Sequence, residues 1–371
     1  MTRGRFAPSP TGRMHLGNVF CALLSWLSAK SKGGEWVLRI EDLDPQRSKK
    51  DYALQLMDDL QWLGLPWDGE PVWQSQRGEI YEEYLQRLTD MGLTYPCYCT
   101  RADIMATQAP HETDGRVVYK GTCRPNPPSP ITPHRSQLTV NRSPLTTTTR
   151  LIVPDCTIPF TDGHYGKHDI NLAEHCGDYI IRRKDGAWAY QLAVVVDDAL
   201  MGVTEIVRGR DLLLSSPQQI HLRNLLFQST DDRVQSTENR VQMTDGLLKR
   251  KTITDAARSV PTATSLTPQT VPLRPGDERS GGGGLTAHYS PFNVDFFHHP
   301  LLCNAEGQRL CKRDKSMDLG YLRGTGITPQ EIIGKLAYLA GLTDSTTPIT
   351  PSELLPLFSW KKVPTEDIIL K

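Results

Sequence analysis

Residues 5–18, Arg5-Phe6-Ala7-Pro8-Ser9-Pro10-Thr11-Gly12-Arg13-Met14-His15-Leu16-Gly17-Asn18, restrict the fold more than any other stretch of the 371-residue chain. Pro8, Pro10 and Gly12 exclude helix through its middle. From Val19 onward Phe20, Leu23, Leu24 and Leu27 recur at helical spacing. The pattern predicts a strand, a tight turn and a helix that opens near Gly17. Such a helix start aims free backbone N–H groups and a positive dipole end at the turn, where a phosphate can bind. His15 can donate a hydrogen bond there, and Gly17 lets a flat ligand approach the backbone.

The alternation continues downstream. Residues 35–44 read as a strand, Trp36-Val37-Leu38-Arg39-Ile40, that ends in Glu41-Asp42-Leu43-Asp44. Carboxylates at the C-terminal end of a strand in an α/β sheet lie where ligands bind, although Asp42 and Asp44 also fit a solvated acidic turn. An amphipathic helix with Tyr52, Leu56, Leu60 and Leu63 follows, then Val72 and Trp73 ahead of Gln74-Ser75-Gln76-Arg77. A second helix carries Ile80, Tyr81, Tyr84, Leu85 and Leu88 and stops at Gly92. Alternating strands and helices predict an α/β fold with a doubly wound parallel sheet.

Net charge is zero, so an RNA partner must meet a local basic face rather than a basic molecule. Met1-Thr2-Arg3-Gly4-Arg5 has no apolar stretch of a signal peptide, and no apolar run is long enough for a bilayer. The expected location is the cytoplasm. Eight cysteines are spread along the chain, a usage that favours metal ligands where they cluster over a disulfide scaffold. They cluster at Cys97-Tyr98-Cys99, with Cys123 downstream. Three thiols can surround Zn²⁺ if a fourth ligand lies nearby, and His111 is one candidate. Two buried thiols are the alternative reading.

Residues 124–150 are rich in Pro, Ser and Thr and read as an extended or partly disordered loop, with order returning at Leu151. Residues 177–190 read as a hairpin turning at Lys184-Asp185-Gly186. The apolar run of residues 191–207 reads as one buried core segment, followed by Arg208-Gly209-Arg210-Asp211 and a helix with Gln218, Gln219 and Ile220. Residues 229–286 hold too few apolar side chains to fold alone and read as a disordered insertion or a contact loop. His298 and His299 read as packing or surface residues. Thr328-Pro329-Gln330-Glu331 is a capping box with proline at the first helical position, opening a helix that buries Ile332, Ile333, Leu336, Leu339 and Leu342.

Arg5-Phe6-Ala7-Pro8-Ser9-Pro10-Thr11-Gly12 followed by His15-Leu16-Gly17-Asn18 resembles the ATP-binding signature of class I aminoacyl-tRNA synthetases of the glutamate branch. Ile40-Glu41-Asp42-x-Asp44 and Gln74-Ser75-x-Arg77 also stand where that branch has them. Cys97, Cys99, Tyr119 and Cys123 match the C-x-C … Tyr-x-x-x-Cys zinc site of the glutamyl-queuosine tRNA(Asp) synthetases. In the second ATP signature, Lys-hydrophobic-Ser-Lys, Lys312 matches the second lysine, while Arg309 replaces the first and Cys311 the serine.

The resemblance implies a Rossmann-type catalytic domain whose first half spans residues 1–95 and whose second half spans 177–228. A zinc-binding, acceptor-side subdomain with the Pro/Ser/Thr-rich loop would occupy 96–176, the insertion 229–286, the ATP-signature loop 287–320 and a helical stem-contact region 321–371. It implies His15, Asn18 and Lys312 as catalytic residues, and His15, Gly17 and Lys312 as ATP ligands. Arg5, Phe6, Ala7, Pro8, Ser9, Glu41, Tyr190 and Arg208 would hold glutamate, with Arg5 on the side-chain carboxylate and Glu41 on the α-ammonium. Arg182, Arg183 and Arg210 read as surface or RNA-facing cations. The implied partners are glutamate, ATP with Mg²⁺, structural Zn²⁺ on Cys97, Cys99, Tyr119 and Cys123, and tRNA(Asp) carrying queuosine, for a monomer away from membranes. No anticodon-binding helical domain follows, so the core is expected to recognise a compact RNA piece by itself. The alternatives are a truncated glutamyl-tRNA synthetase and an inactive tRNA-binding paralogue.

Overall fold

The computed structural model describes residues 1–106, 118–119, 121–125, 147–227, 294–310 and 318–370. His111, Cys311, Lys312 and the 229–286 segment lie outside the described residues.

Strand β1 (Arg3–Phe6) runs into the proline-punctuated turn, and helix α1 (Leu16–Lys30) packs back over it with Val19, Phe20, Leu23, Leu24 and Leu27 buried. Strand β2 (Glu35–Ile40) lies parallel to β1, with Arg3 opposite Glu35 and Phe6 opposite Leu38. Helix α2 (Lys50–Trp62), strand β3 (Val72–Trp73) and helix α3 (Gly78–Asp90) complete the first half. Strand β4 (Thr94–Cys97) and the short helix α4 (Arg101–Ala106) follow.

Strand β5 (Thr148–Leu151) joins β4 and strand β8 (Ile180–Arg182) in a small antiparallel sheet. The strand therefore starts at Thr148, ahead of the expected Leu151, because β-branched threonines suit a strand once β4 offers an edge. Strands β6 (Thr157–Asp162) and β7 (Gly166–Asn171) form a hairpin, and helix α5 (Leu172–His175) follows.

The expected turn at Lys184-Asp185-Gly186 is present. Arg182 bridges Trp188, and Gly186 takes φ +81°, which suits glycine. The apolar run after it is two elements rather than one segment: helix α6 (Tyr190–Leu200) and strand β9 (Glu205–Gly209). Gly202, at φ +67°, ends the helix. A short apolar run reads alike in a buried helix and a buried strand, which is why the pattern concealed the break.

Among the described residues, helix α7 (Ser216–Phe227) and strand β10 (Asp295–His299) bring the main sheet to seven strands, ordered β3-β2-β1-β9-β10-β6-β7. Every neighbouring pair is parallel except the β6–β7 hairpin. β1 is thus central, held by β2 on one side and β9 on the other. Arg3 N–H also donates to Thr204 Oγ1 at 2.9 Å, across 201 positions.

Strand β11 (Leu302–Cys303) pairs with β12 (Ile368–Ile369), which returns the end of the chain to the base of the Arg309 hairpin. Between them lie helices α8 (Leu319–Gly324) and α9 (Pro329–Leu339). The α9 capping box forms as expected, with Thr328 Oγ1 accepting from Glu331 N–H and Glu331 Oε2 accepting from Thr328 N–H at 2.7 Å. Ile332, Ile333, Leu336 and Leu342 are buried in the same core as α1, while Leu339 is half-buried. Among the described residues no helix is long and apolar enough to cross a membrane.

Candidate active site and metal centre

A cavity of about 430 Å³ opens at the C-terminal ends of β1, β9 and β10, beside the start of α1. Ligands of doubly wound sheets bind at this edge, beyond the carboxyl ends of the strands. The cavity gathers all the expected glutamate and ATP residues that are described: Arg5, Phe6, Ala7, Pro8, Ser9, His15, Gly17, Asn18, Glu41, Tyr190 and Arg208. An adjoining cavity of about 320 Å³ shares Ser9, Thr11, Glu41 and Tyr190 and extends to Asp44, Arg183 and Trp188. Lys312 lies outside the described residues.

The start of α1 differs from the expected row of free donors. His15 is the N-cap, and its Nδ1 accepts the Gly17 N–H at 3.1 Å. Asn18 N–H bonds His15 O at 2.8 Å, while Asn18 Oδ1 accepts the His15 N–H at 3.1 Å. Asn18 therefore closes a capping box. Because Nδ1 accepts, the ring proton sits on Nε2, and the imidazole donates from that side. Gly17 makes room for this ring: a Cβ there would lie 2.9 Å from His15 Cε1.

Arg5 is buried, and its Nη1 donates to Val207 O at 3.1 Å. Its Nε lies 3.6 Å from Asp198. Asp198 also accepts from Arg39 Nη1 at 2.5 Å, and Arg39 Nη2 donates to Glu41 Oε1 at 3.1 Å. Burial pushes the Glu41 carboxyl above its ordinary value, against the pull of Arg39 and Arg5. Asp197, next to Asp198, accepts from Gln74 Nε2, Tyr81 Oη and Arg77 Nε at 2.6–2.8 Å. Asp42 accepts from Ser75 N–H and Ser75 Oγ. The Gln74-Ser75-x-Arg77 motif thus braces the acidic pair on α6 and the turn after β2.

The roles of Arg39, Asp197 and Asp198 were not read from the sequence. The available signal was charge inside apolar runs, Arg39 between Leu38 and Ile40 and the aspartates after Val194-Val195-Val196.

Arg208 is buried with neutral partners: Nη1 donates to Gln219 Oε1 at 2.7 Å, Nη2 to Ser216 Oγ at 2.9 Å and Nε to His298 Nε2 at 3.0 Å. Burial pulls its guanidinium below the ordinary range. A buried cation with such partners favours an anion brought by a ligand. His298 and His299 are both buried, so the packing reading holds and the surface reading does not. His299 also lines the cavity. The three outer arginines are each paired: Arg182 with Glu82, Arg183 with Asp185 and Asp44, and Arg210 with Asp367. Arg309, at the cavity rim, pairs with Asp211.

At the end of β4, the Sγ atoms of Cys97, Cys99 and Cys123 lie within 4.8 Å of one another. Tyr119 Oη sits 3.4 Å from Cys97 Sγ and 3.6 Å from Cys99 Sγ. Four donors this close can share one metal ion. Hydrogen bonding from Cys123 leads the effects that hold the Cys97 thiol below its ordinary value. The Arg150 guanidinium lies 3.8 Å over the Tyr119 ring and adds positive charge beside the cluster.

The family model for the catalytic domain of class I tRNA synthetases (E and Q) matches residues 1–261. A Symbiobacterium thermophilum protein named glutamyl-Q tRNA(Asp) synthetase is 37% identical over 378 residues, covering 99% of this chain and 95% of that protein. A Nitratidesulfovibrio vulgaris protein of the same name is 35% identical, covering 100% and 95%. A Neisseria meningitidis one is 47% identical over 226 residues, covering 61% and 72%. In fold, the chain is similar to a glutamate tRNA ligase from Elizabethkingia meningosepticum, with TM-score 0.66 at 23% identity, over all of this chain and 67% of that one. With the family model spanning β1 through α7 and the cavity between them, this chain belongs to the class I tRNA synthetases (E and Q).

Proposed function

We propose that this chain uses ATP to activate glutamate and then transfers the glutamyl group to queuosine in the anticodon of tRNA(Asp). The observation that carries the activation step is the convergence of Arg5, Glu41 and Arg208 on one cavity at the start of α1. Two buried guanidinium groups suit the two carboxylates of glutamate, and a buried carboxylate suits its α-ammonium. Arg5 takes the side-chain carboxylate and Glu41 the ammonium. The acceptor follows the names of relatives that match this chain over 95% of their length.

Activation forms a bond between a carboxylate oxygen of glutamate and the α-phosphorus, and pyrophosphate leaves. The protein positions the reactants and stabilises charge on the phosphates. His15 donates from Nε2 at the positive end of α1, and Lys312 adds a cation from the second signature. In the transfer step a hydroxyl of the cyclopentene-diol attacks the acyl carbon and AMP leaves. The adjoining cavity, between Trp188, Arg183 and Asp44, gives the splayed base a place beside the activated amino acid.

The metal centre fits zinc: three thiol sulfurs and one phenol oxygen form a closed donor set of the kind that structural zinc takes. When bound, the ion would tie the end of β4 to residues 119–123 and would play no part in the reaction.

The test combines two assays. Glutamate-dependent ATP–pyrophosphate exchange without tRNA reads activation, and its absence would overturn that step. Labelled glutamate is then offered with tRNA(Asp) carrying queuosine, tRNA(Asp) lacking it, and tRNA(Glu). Transfer to the first alone is expected. Charging of tRNA(Glu) alone would make the chain an ordinary glutamyl-tRNA synthetase, and activation with no transfer would favour an inactive paralogue.

A further inference from the structure

We infer that Asp162 and His298 form a relay that fixes one tautomer of the His298 ring and thereby sets the orientation of the Arg208 guanidinium in the cavity. They would act as positioning residues for a substrate carboxylate, a role that rests on the cavity being an amino-acid site.

Donor chemistry determines every proton in the chain of contacts. Arg208 Nε can only donate, so His298 Nε2, 3.0 Å away, must present its lone pair. An ionised Asp162 can only accept, so His298 Nδ1, 2.6 Å from Asp162 Oδ2, must carry the proton. The ring is therefore neutral with its hydrogen on Nδ1. Burial, which brings His298 down to about 4, agrees with this. Burial alone would raise Asp162, but the His298 hydrogen bond leads the contacts that outweigh it and hold its carboxyl below the ordinary value.

Both residues are buried, His298 at 0% and Asp162 at 1% exposure. They come from adjacent strands, β10 and β6, 136 positions apart in sequence. Asp162 cannot rotate freely, because Oδ1 also accepts His164 N–H at 2.9 Å and Tyr165 N–H at 2.8 Å. His298, Gln219 and Ser216 take three of the five N–H donors of Arg208, Tyr190 is a further side-chain partner, and Arg208 and Tyr190 both line the cavity.

This relay makes an unusual demand of Asp162→Asn. The side chain keeps its shape, but the atom facing His164 and Tyr165 must stay an oxygen, so the amide NH₂ faces His298 Nδ1 and also the His298 backbone N–H, which Asp162 Oδ2 accepts at 3.1 Å. The ring proton is then driven to Nε2, where it points at the Nε–H of Arg208. A donor meets a donor, and the guanidinium must turn away.

Asp162→Asn and His298→Phe should each raise the KM for glutamate in pyrophosphate exchange by roughly tenfold or more. The KM for ATP should change by less than about twofold. His298→Gln, which can donate to Asp162 and accept from Arg208, should restore most of the loss. Equal rises in both KM values, or a lowered melting temperature with glutamate KM unchanged, would overturn the relay. A measurement on the unsubstituted protein needs no variant to fold: ¹⁵N NMR of the His298 ring should show a neutral ring with hydrogen on Nδ1. Hydrogen on Nε2 or a doubly protonated ring would also overturn it. If the protein does not activate glutamate at all, the amino-acid-site reading fails, while the NMR result still decides the relay.

Discussion

Asp198 accepts a 2.5 Å hydrogen bond from Arg39, and this pair joins β2 to α6 directly beneath the cavity. Both side chains are buried, at 0% exposure for Arg39 and 4% for Asp198. Burial alone would raise Asp198, but Arg39 and Arg5 outweigh it and hold the carboxyl below its ordinary value. Asp198→Ala would leave Arg39 and Arg5 without their shared counter-charge, which typically costs about 3–5 kcal/mol. Urea unfolding should show that loss. A depressed carboxyl contributes stability above its unfolded value, so this contribution should vanish as pH falls through the folded value, below the usual carboxylate range.

Glu41 has the opposite sign. Its raised carboxyl favours the protonated form in the folded protein, so its contribution to stability is present at low pH and lost as pH rises through the raised value. Binding an α-ammonium needs the ionised form. The KM for glutamate should therefore climb on the acid side at a pH above that of an ordinary glutamate carboxyl, and Glu41→Gln should remove that limb while weakening binding throughout. A pH profile of kcat/KM in pyrophosphate exchange checks both.

Gly17→Ala should separate stability from activity. Alanine in a helix gains about 1 kcal/mol over glycine, and losing a cap costs about as much. Unfolding free energy should thus move by less than about 1 kcal/mol. The new Cβ, 2.9 Å from the His15 ring, must push the imidazole aside. Exchange should fall roughly tenfold or more, because a donor aimed at developing charge acts through its placement.

Lys312→Ala should lower kcat in pyrophosphate exchange by roughly a hundredfold while changing the KM for glutamate little. Exchange equal to that of the unsubstituted protein would remove Lys312 from the chemistry.

Metal analysis should find one Zn²⁺ per chain. The double substitution of Cys97→Ser with Cys99→Ser should abolish it and lower the melting temperature, since structural zinc contributes folding energy. Tyr119→Phe should weaken retention against a chelator and His111→Ala should not. The reverse would make His111 the fourth ligand.

The parts of the molecule that could be read in advance are those whose cause is local. Helical spacing at Phe20, Leu23, Leu24 and Leu27 and the stops at Pro8, Pro10 and Gly12 marked β1, its turn and α1. The α9 capping box was visible as four consecutive residues. The cavity residues came from motifs, and the structure brings their described members together. What escaped was partnership across distance. Arg39 and Asp198 are 159 positions apart, and nothing near either residue specifies the other. His298 read only as a packing or surface residue because its partner Asp162 lies on a strand that meets its own only after folding. The row of free donors expected at α1 is shortened for a local reason: His15, at the N-cap, accepts the Gly17 N–H on its own ring, and its carbonyl takes the Asn18 N–H.

The central place of β1 has a consequence on the ribosome. β2 and α1 follow β1 closely in the chain and can cover it as soon as they emerge. Its other edge waits for β9, which begins at Glu205. At the usual rate of about 5–20 residues per second, that wait is on the order of ten seconds or more. Throughout it, the nascent chain carries an unfinished parallel edge, open to wrong pairing. The strand that leads into the cavity thus waits, after it is made, for about two hundred further residues before both its edges are closed.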